Sequence, residues 1–279
     1  MSNYGKAIEL FLVNGTAESL VTAELSNWNG KAIKIPRTEL QDCTREDICG
    51  VGVYFLMCQE EDGTDSVYIG EAENVRERLV QHLRDYHNGK EDYYWNTAIL
   101  FIGRDLNKAL IRYLENRLVE IAKECGRYKI LTKNTYKNTV IKESQEASME
   151  EFIDNVKVLI NALGYKVLTA IPQATDNTKY LFCTGSGSSA KAFISNGGIT
   201  VVSGSVVSDH VVPSFEIRGK NYFNLRKHLE NDGTIKDGTF QKDYEFSAPS
   251  AASAVILGRN SNGKDDWKSE DGTKLKDLM

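Results

Sequence analysis

Gly52-Val53-Tyr54-Phe55-Leu56-Met57 and Val67-Tyr68-Ile69-Gly70 are two short apolar runs, each with a tyrosine close to a glycine, on either side of the polar stretch Gln59 to Ser66. Val51 to Met57 reads as one strand and Val67 to Ile69 as a second, because both are built from β-branched and aromatic residues. Glu60-Glu61-Asp62-Gly63-Thr64-Asp65 supplies turn chemistry between them, so the pair reads as a β-hairpin. After Gly70 the apolar period changes from two to helical. Val75, Leu79, His82, Leu83 and Tyr86 share one face, while Glu71, Glu73, Glu77 and Asp85 lie elsewhere. Arg78 and His82, spaced i, i+4, point to the same end of the hairpin.

Outward from this unit, Ala98 to Gly103 reads as a further strand and Asp105 to Cys125 as a long helix carrying Glu115. The two tyrosine motifs, Arg78 beyond Tyr68, His82 one turn later and Glu115 on the next long helix together resemble the GIY-YIG nuclease family. The resemblance implies a small α+β nuclease domain, a three-stranded sheet flanked by helices, in which Glu115 binds a divalent metal. It also implies an asparagine near the end of the domain. Asn134 in Lys133-Asn134-Thr135 is the candidate, with Asn138 and Asn116 as alternatives.

The chemistry can be stated from the residues alone. Phosphodiester hydrolysis needs a base for water, a cation for the phosphoryl oxygens and help for the leaving alkoxide. Tyr54, Tyr68, Arg78, His82 and Glu115 can supply these. A phenol with an ordinary pKa near ~10 is a poor base at neutral pH unless a metal or an arginine favours the phenolate. The Arg78 guanidinium suits phosphate through its planar fork. A single carboxylate suits one Mg²⁺ or Mn²⁺ ion per site, because Mg²⁺ keeps several waters and shares the phosphate. No Cys or His pair has zinc-ligand spacing. Either Tyr54 or Tyr68 can be the base. Each residue also has a bland use: strand tyrosines bury their rings, helix arginines and glutamates solvate a surface, and a histidine on an apolar face packs in a core.

The chain has 279 residues, a formal net charge of -5 and five cysteines without short spacing. These suit an intracellular chain of two domains, and a cytoplasmic location is expected. The N-terminus Met1-Ser2-Asn3-Tyr4-Gly5-Lys6 lacks the form of a signal peptide, and no apolar run is long enough for a membrane span. The net acidity argues against a non-specific nucleic-acid coat, yet basic residues gather near the motifs. Arg76, Arg78 and Arg84 stand on the first helix, and Arg104, Lys108, Arg112, Arg117, Lys123, Arg127, Lys129 and Lys133 around the second. Arg76, Arg84 and Lys133 are accordingly candidate substrate contacts.

The expected organisation is an N-terminal extension over residues 1–47, the nuclease-like domain over 48–140, a helical connector over 141–172 and a second α+β domain over 173–279. The extension holds strands at Ile8 to Val13 and Lys31 to Arg37 and is expected to pack on the nuclease-like domain. The connector holds a helix from Met149 to Leu163 and a strand from Tyr165 to Ile171. Gly185-Ser186-Gly187-Ser188-Ser189-Ala190 superficially matches a dinucleotide fingerprint, but no helix follows, so it reads as a loop. The last part resembles a small α+β domain of unknown function that recurs behind GIY-YIG domains in bacterial and phage proteins. That resemblance rests on Ser205, Leu225-Arg226, the Pro249-Ser250-Ala251-Ala252 helix, Gly258 to Gly263 and Trp267. There Arg259 and Lys264 are candidate phosphate contacts, and Trp267 either stacks on a base or fills the core.

The reading that unites these features is a Mg²⁺-dependent DNA endonuclease. Two cuts in a duplex by a chain with one site would require a homodimer or sequential nicking. A non-cleaving DNA-binding, regulatory or defence protein on the same fold is the alternative. A third reading leaves the tyrosines structural and puts activity in the C-terminal domain.

Overall fold

The computed structural model describes residues 4–60, 64–135, 139–185 and 187–278. The turn residues Glu61, Asp62 and Gly63, the alternative asparagine Asn138, Ser186 and the first three residues lie outside the described ones. The chain divides into two compact α+β units, Met1–Ala170 and Ile171–Met279. The stretches 1–47, 48–140 and nearly all of 141–172 share the first.

In the first unit the strands are β1 (Ile8–Leu12), β2 (Val21–Leu25), β3 (Gly30–Pro36), β4 (Gly52–Gln59) and β5 (Asp65–Ala72). Helix α1 (Val75–His87) follows, then β6 (Trp95–Gly103), α2 (Lys108–Cys125), β7 (Lys129–Ile130) and α3 (Glu143–Ala162). The sheet is larger than the three strands expected: seven strands run in the order β1-β2-β3-β6-β4-β5-β7. The N-terminal extension is part of it, since β3 pairs with β6 along its whole length from Gly30 to Pro36. An apolar edge at β6 would otherwise be exposed, and pairing satisfies its backbone groups.

β4 and β5 form the expected hairpin, with Tyr54 opposite Gly70 and Leu56 opposite Tyr68. Alternation along the pleat sends Val53, Phe55, Met57, Val67 and Ile69 to a core with α2 and α3. Tyr54, Leu56 and Cys58 go to a second core with Val75 and Leu79 of α1. β4 is therefore buried on both faces, which is why it reads as an unbroken apolar run.

Helix starts follow local capping. Asn74 accepts from Glu77 N–H at α1, and Asn107 accepts from Ala109 and Leu110 N–H at α2. α2 thus starts at Lys108 rather than Asp105, and it ends at Gly126, whose φ of 63° a glycine adopts without a Cβ clash. The strand expected at Tyr165 to Ile171 does not form. Tyr165 N–H closes back on the Ile160 carbonyl, and the consecutive Val167 and Leu168 are both buried, which an alternating strand cannot achieve.

The second unit holds β8 (Tyr180–Gly185), β9 (Ser188–Ser195), β10 (Gly198–Val201), α4 (Pro213–Arg218), α5 (Lys220–Asn231), β11 (Ile235–Lys236), β12 (Thr239–Phe240) and β13 (Tyr244–Phe246). It ends with α6 (Pro249–Leu257), α7 (Gly263–Asp266) and α8 (Leu275–Leu278). A four-stranded sheet runs β13-β10-β9-β8, and β11 and β12 pair separately. Of the glycine-serine stretch expected as a loop, Gly185 ends β8 and Ser188 to Ala190 open β9, with Gly185 opposite Ser188. Several residues that carried the C-terminal resemblance hold this unit together. Arg226 is buried and donates to the Ser208 and Val255 carbonyls and to Glu230. A Cβ at Gly263 would strike the Pro249 backbone.

Candidate active site

The two motif tyrosines meet because of strand register. Tyr54 on β4 opposes Gly70, and Tyr68 lies two residues before Gly70 on β5, so both project from one face as diagonal neighbours. Their rings stack at 6.2 Å between centroids. The Tyr54 ring passes over Gly70, where an added Cβ would collide with its hydroxyl and with Cε1 of Tyr68. The glycine of Tyr68-Ile69-Gly70 is therefore the floor under the Tyr54 phenol.

α1 covers this face and brings two side chains to the phenols. His82 is fully buried, and its Nε2 lies 2.9 Å from the Tyr54 hydroxyl. Its Nδ1 lies 2.7 and 3.0 Å from the Glu91 carboxylate oxygens, with the Tyr93 hydroxyl at 3.4 Å. Tyr93 stacks on Tyr68 at 5.7 Å and also hydrogen-bonds Glu91. Burial and the neighbouring Arg78 charge hold the imidazole well below its ordinary pKa, so it is neutral at pH 7. The Glu91 carboxylate accepts Nδ1–H, which leaves Nε2 as acceptor for the Tyr54 O–H.

The Arg78 guanidinium, one turn before His82, hydrogen-bonds both Tyr54 and Tyr68. Burial raises both phenols above their ordinary value, while Arg78 opposes that rise in each. Both phenols are thus protonated at neutral pH, and each has beside it the cation that a phenolate would need.

Glu115 comes from α2, on the far side of the sheet. β7 pairs only with Ser66 and Val67, and Thr132 satisfies both the N–H and the carbonyl of Ile69 at 2.8 Å. Beyond that point no described strand pairs with the outer edge of β5. There Glu115 lies within electrostatic reach of Arg78, Glu71 and Arg112. It is 5% exposed, and its Oε2 is buried with no hydrogen-bond partner. Burial first, and the Glu71 charge second, push its pKa up to about 7. Glu71 in turn sits 3.7 Å from Arg112.

Among the described residues no cluster of three or more His, Cys, Asp or Glu side chains is present. A zinc-type cage is not formed by them. A buried carboxylate oxygen without a partner, beside a second carboxylate, nevertheless fits a magnesium-type ion that takes most of its ligands from water and phosphate.

Lys133 and Asn134 are exposed. Their segment is anchored by Thr132 on β5 at one end and, at the other, by Thr135, whose hydroxyl donates to Asn116 at 2.8 Å beside Glu115. Arg76 and Arg84 do not join the tyrosines. At 3.6 residues per turn they stand roughly 160° and 120° around α1 from Arg78. Half of the basic residues around α2 are paired with carboxylates: Lys108 with Glu73, Arg112 with Glu71, Arg117 with Glu120 and Glu150, and Lys129 with Glu60.

In the second unit Arg259 pairs with Asp266 at 3.3 Å, and Lys264 is exposed. Trp267 is fully buried and its indole donates to the Pro249 carbonyl, so it fills the core and is not a base-stacking platform. Glu91, Tyr93 and Glu71 were not singled out from sequence. Glu91 and Tyr93 occupy a polar link without period, where the one available signal is an aromatic run, Tyr93-Tyr94-Trp95, beside two acids nine or ten residues past His82.

The profile of a family described as a domain of unknown function (DUF4357) matches residues 181–279, which is most of the second unit. No curated protein and no solved structure matches the chain. No helix among the described residues is long and apolar enough to cross a membrane.

Proposed function

We propose that the first unit is a divalent-metal-dependent endonuclease of the GIY-YIG type that hydrolyses DNA phosphodiester bonds. The observation that carries this reading is the convergence of Tyr54, Tyr68, Arg78 and His82 with a buried Glu115 oxygen that has no protein partner. A structural core would not strand a carboxylate oxygen next to a second acid, because an unsatisfied buried charge costs several kcal/mol.

Glu115 would hold one Mg²⁺ or Mn²⁺, which when bound neutralises phosphate charge and lowers the pKa of water. Arg78 would meet the non-bridging oxygens of the scissile phosphate. Either tyrosine can be the general base: Tyr68 is the one nearer solvent, and Tyr54 has an internal partner for its proton. The Tyr54 proton has an acceptor 2.9 Å away in the neutral His82 imidazole, held in that tautomer by Glu91. A tyrosine that has lost its proton is a phenolate beside Arg78, and in that form it takes one proton from the attacking water as the oxygen of that water bonds to phosphorus and the alkoxide leaves. Tyr68, more exposed and stacked between Tyr54 and Tyr93, orients the same arginine.

Incubation of the purified protein with supercoiled plasmid in Mg²⁺ or Mn²⁺ tests the reading. Nicking or linearisation that is lost in Glu115→Ala supports it, and cutting that survives this substitution undiminished sinks the mechanism.

A further inference from the structure

The face of α1 that turns away from Arg78 borders an open groove of about 750 Å³. Arg37, Arg76, Arg84 and His87 line it, together with Gln41 and Asn88, and no acidic residue does. Among the described residues, none of these three arginines has a carboxylate partner at ion-pair distance. Arg76 donates only to the Cys43 carbonyl, at 3.3 Å. The contrast with α2, where half of the surrounding cations are paired with carboxylates, is clear for a chain of net charge -5.

Arg37 is also built into place. Its guanidinium carbon lies 4.8, 4.4 and 4.8 Å from the ring centroids of Tyr86, Tyr94 and Trp95. Its Nη1 is buried without a hydrogen-bond partner. Aromatic rings hold a guanidinium flat and cost it little freedom, and a planar fork fixed in this way suits phosphate. Three arginines lining one groove with no carboxylate at ion-pair distance repel one another unless an anion joins them; the Glu91 carboxylate acts on Arg37 from farther away.

We propose that this groove binds the phosphodiester backbone of a DNA duplex, a few nucleotides from the phosphate that Arg78 meets; the inference rests on the nuclease reading above. A helix with its side chains is ~10 Å across, and one DNA strand carries a phosphate every ~3.4 Å of axis. The groove therefore contacts the backbone about three nucleotides from the scissile phosphate. Arg76 and Arg84, which the sequence places among substrate contacts, act here with Arg37 as a second anchor and not at the tyrosines.

The test is a fluorescence-anisotropy titration of the full chain with a labelled DNA duplex, without divalent metal, over a series of salt concentrations. Wild type, Arg76→Gln/Arg84→Gln and Arg37→Gln are compared, with thermal melts in parallel. The double variant is expected to bind about tenfold or more weakly and to reduce the slope of log Kd against log salt by about two, one per lost phosphate contact. Arg37→Gln should reduce the slope by about one. Because Arg37 supports an aromatic stack, the double variant on the outer face of α1 is decisive if Arg37→Gln melts early. A double variant with unchanged affinity and slope overturns the groove while leaving a plasmid-cutting wild type as a nuclease. Loss of binding in the variants of a wild type that cuts plasmid in neither Mg²⁺ nor Mn²⁺ keeps the groove and removes the nuclease. A wild type that neither binds nor cuts removes both.

Discussion

The Tyr54 hydroxyl lies 2.9 Å from Nε2 of His82, and both side chains are essentially without solvent contact. A phenol facing a neutral imidazole in a dry core donates its hydrogen bond to that ring, and Glu91 on the far nitrogen fixes the tautomer that accepts it.

Glu91→Gln keeps the shape and removes the acceptor charge. It is expected to lower kcat by about 10- to 100-fold with KM little changed, a loss within the range of positioned proton transfer. Steady-state cleavage kinetics, with circular dichroism as a fold control, check this. Unchanged kcat would leave Glu91 as a packing residue only.

Gly70→Ala puts a methyl group where the Tyr54 phenol lies. A cost of about 1–3 kcal/mol in stability, typical of overpacking, should accompany loss of cleavage. Gly5→Ala, where an added Cβ meets nothing within 4 Å, is the control and should be neutral. Urea denaturation midpoints measure both.

Glu115 carries a pH signature. Its folded pKa of about 7 exceeds the ordinary 4.5, so the folded state holds the proton more tightly than the unfolded state. The associated stability is full below pH 4.5 and is lost as pH rises through about 7. Glu115→Gln, which mimics the protonated form, should therefore match wild type at pH 4.5 and exceed it at pH 8.5 by ~3 kcal/mol, at ~1.4 kcal/mol per pKa unit. Thermal melts in EDTA across this range check the sign, and parallel curves would contradict it. Added Mg²⁺ should stabilise wild type at pH 8.5 and leave Glu115→Gln unmoved.

The hairpin and α1 were legible because their apolar periods, two and then helical, agree with their capping and turn residues. β2 was not, since Leu20 to Leu25 mixes Thr and Glu into a short run, and β7 is only two residues long. The helical period also shows that Arg76 and Arg84 cannot share the Arg78 face, although their clustering in sequence suggests a single basic site. Glu91 reaches His82 through a tertiary contact across an irregular link, which no local pattern encodes. Trp267 beside asparagines and a lysine could have stacked a base or filled a core, and only packing against Pro249 separates the two.

The most direct measurement is conversion of supercoiled plasmid to nicked or linear DNA by wild type, Tyr54→Phe and Glu115→Ala in Mg²⁺ at pH 8, with EDTA as blank. Cutting by wild type, its loss with EDTA and in Glu115→Ala, and a fall of about 100-fold or more in Tyr54→Phe are the predicted results. Cutting by Glu115→Ala and Tyr54→Phe at the wild-type rate, or no cutting by wild type in either Mg²⁺ or Mn²⁺, would contradict the account.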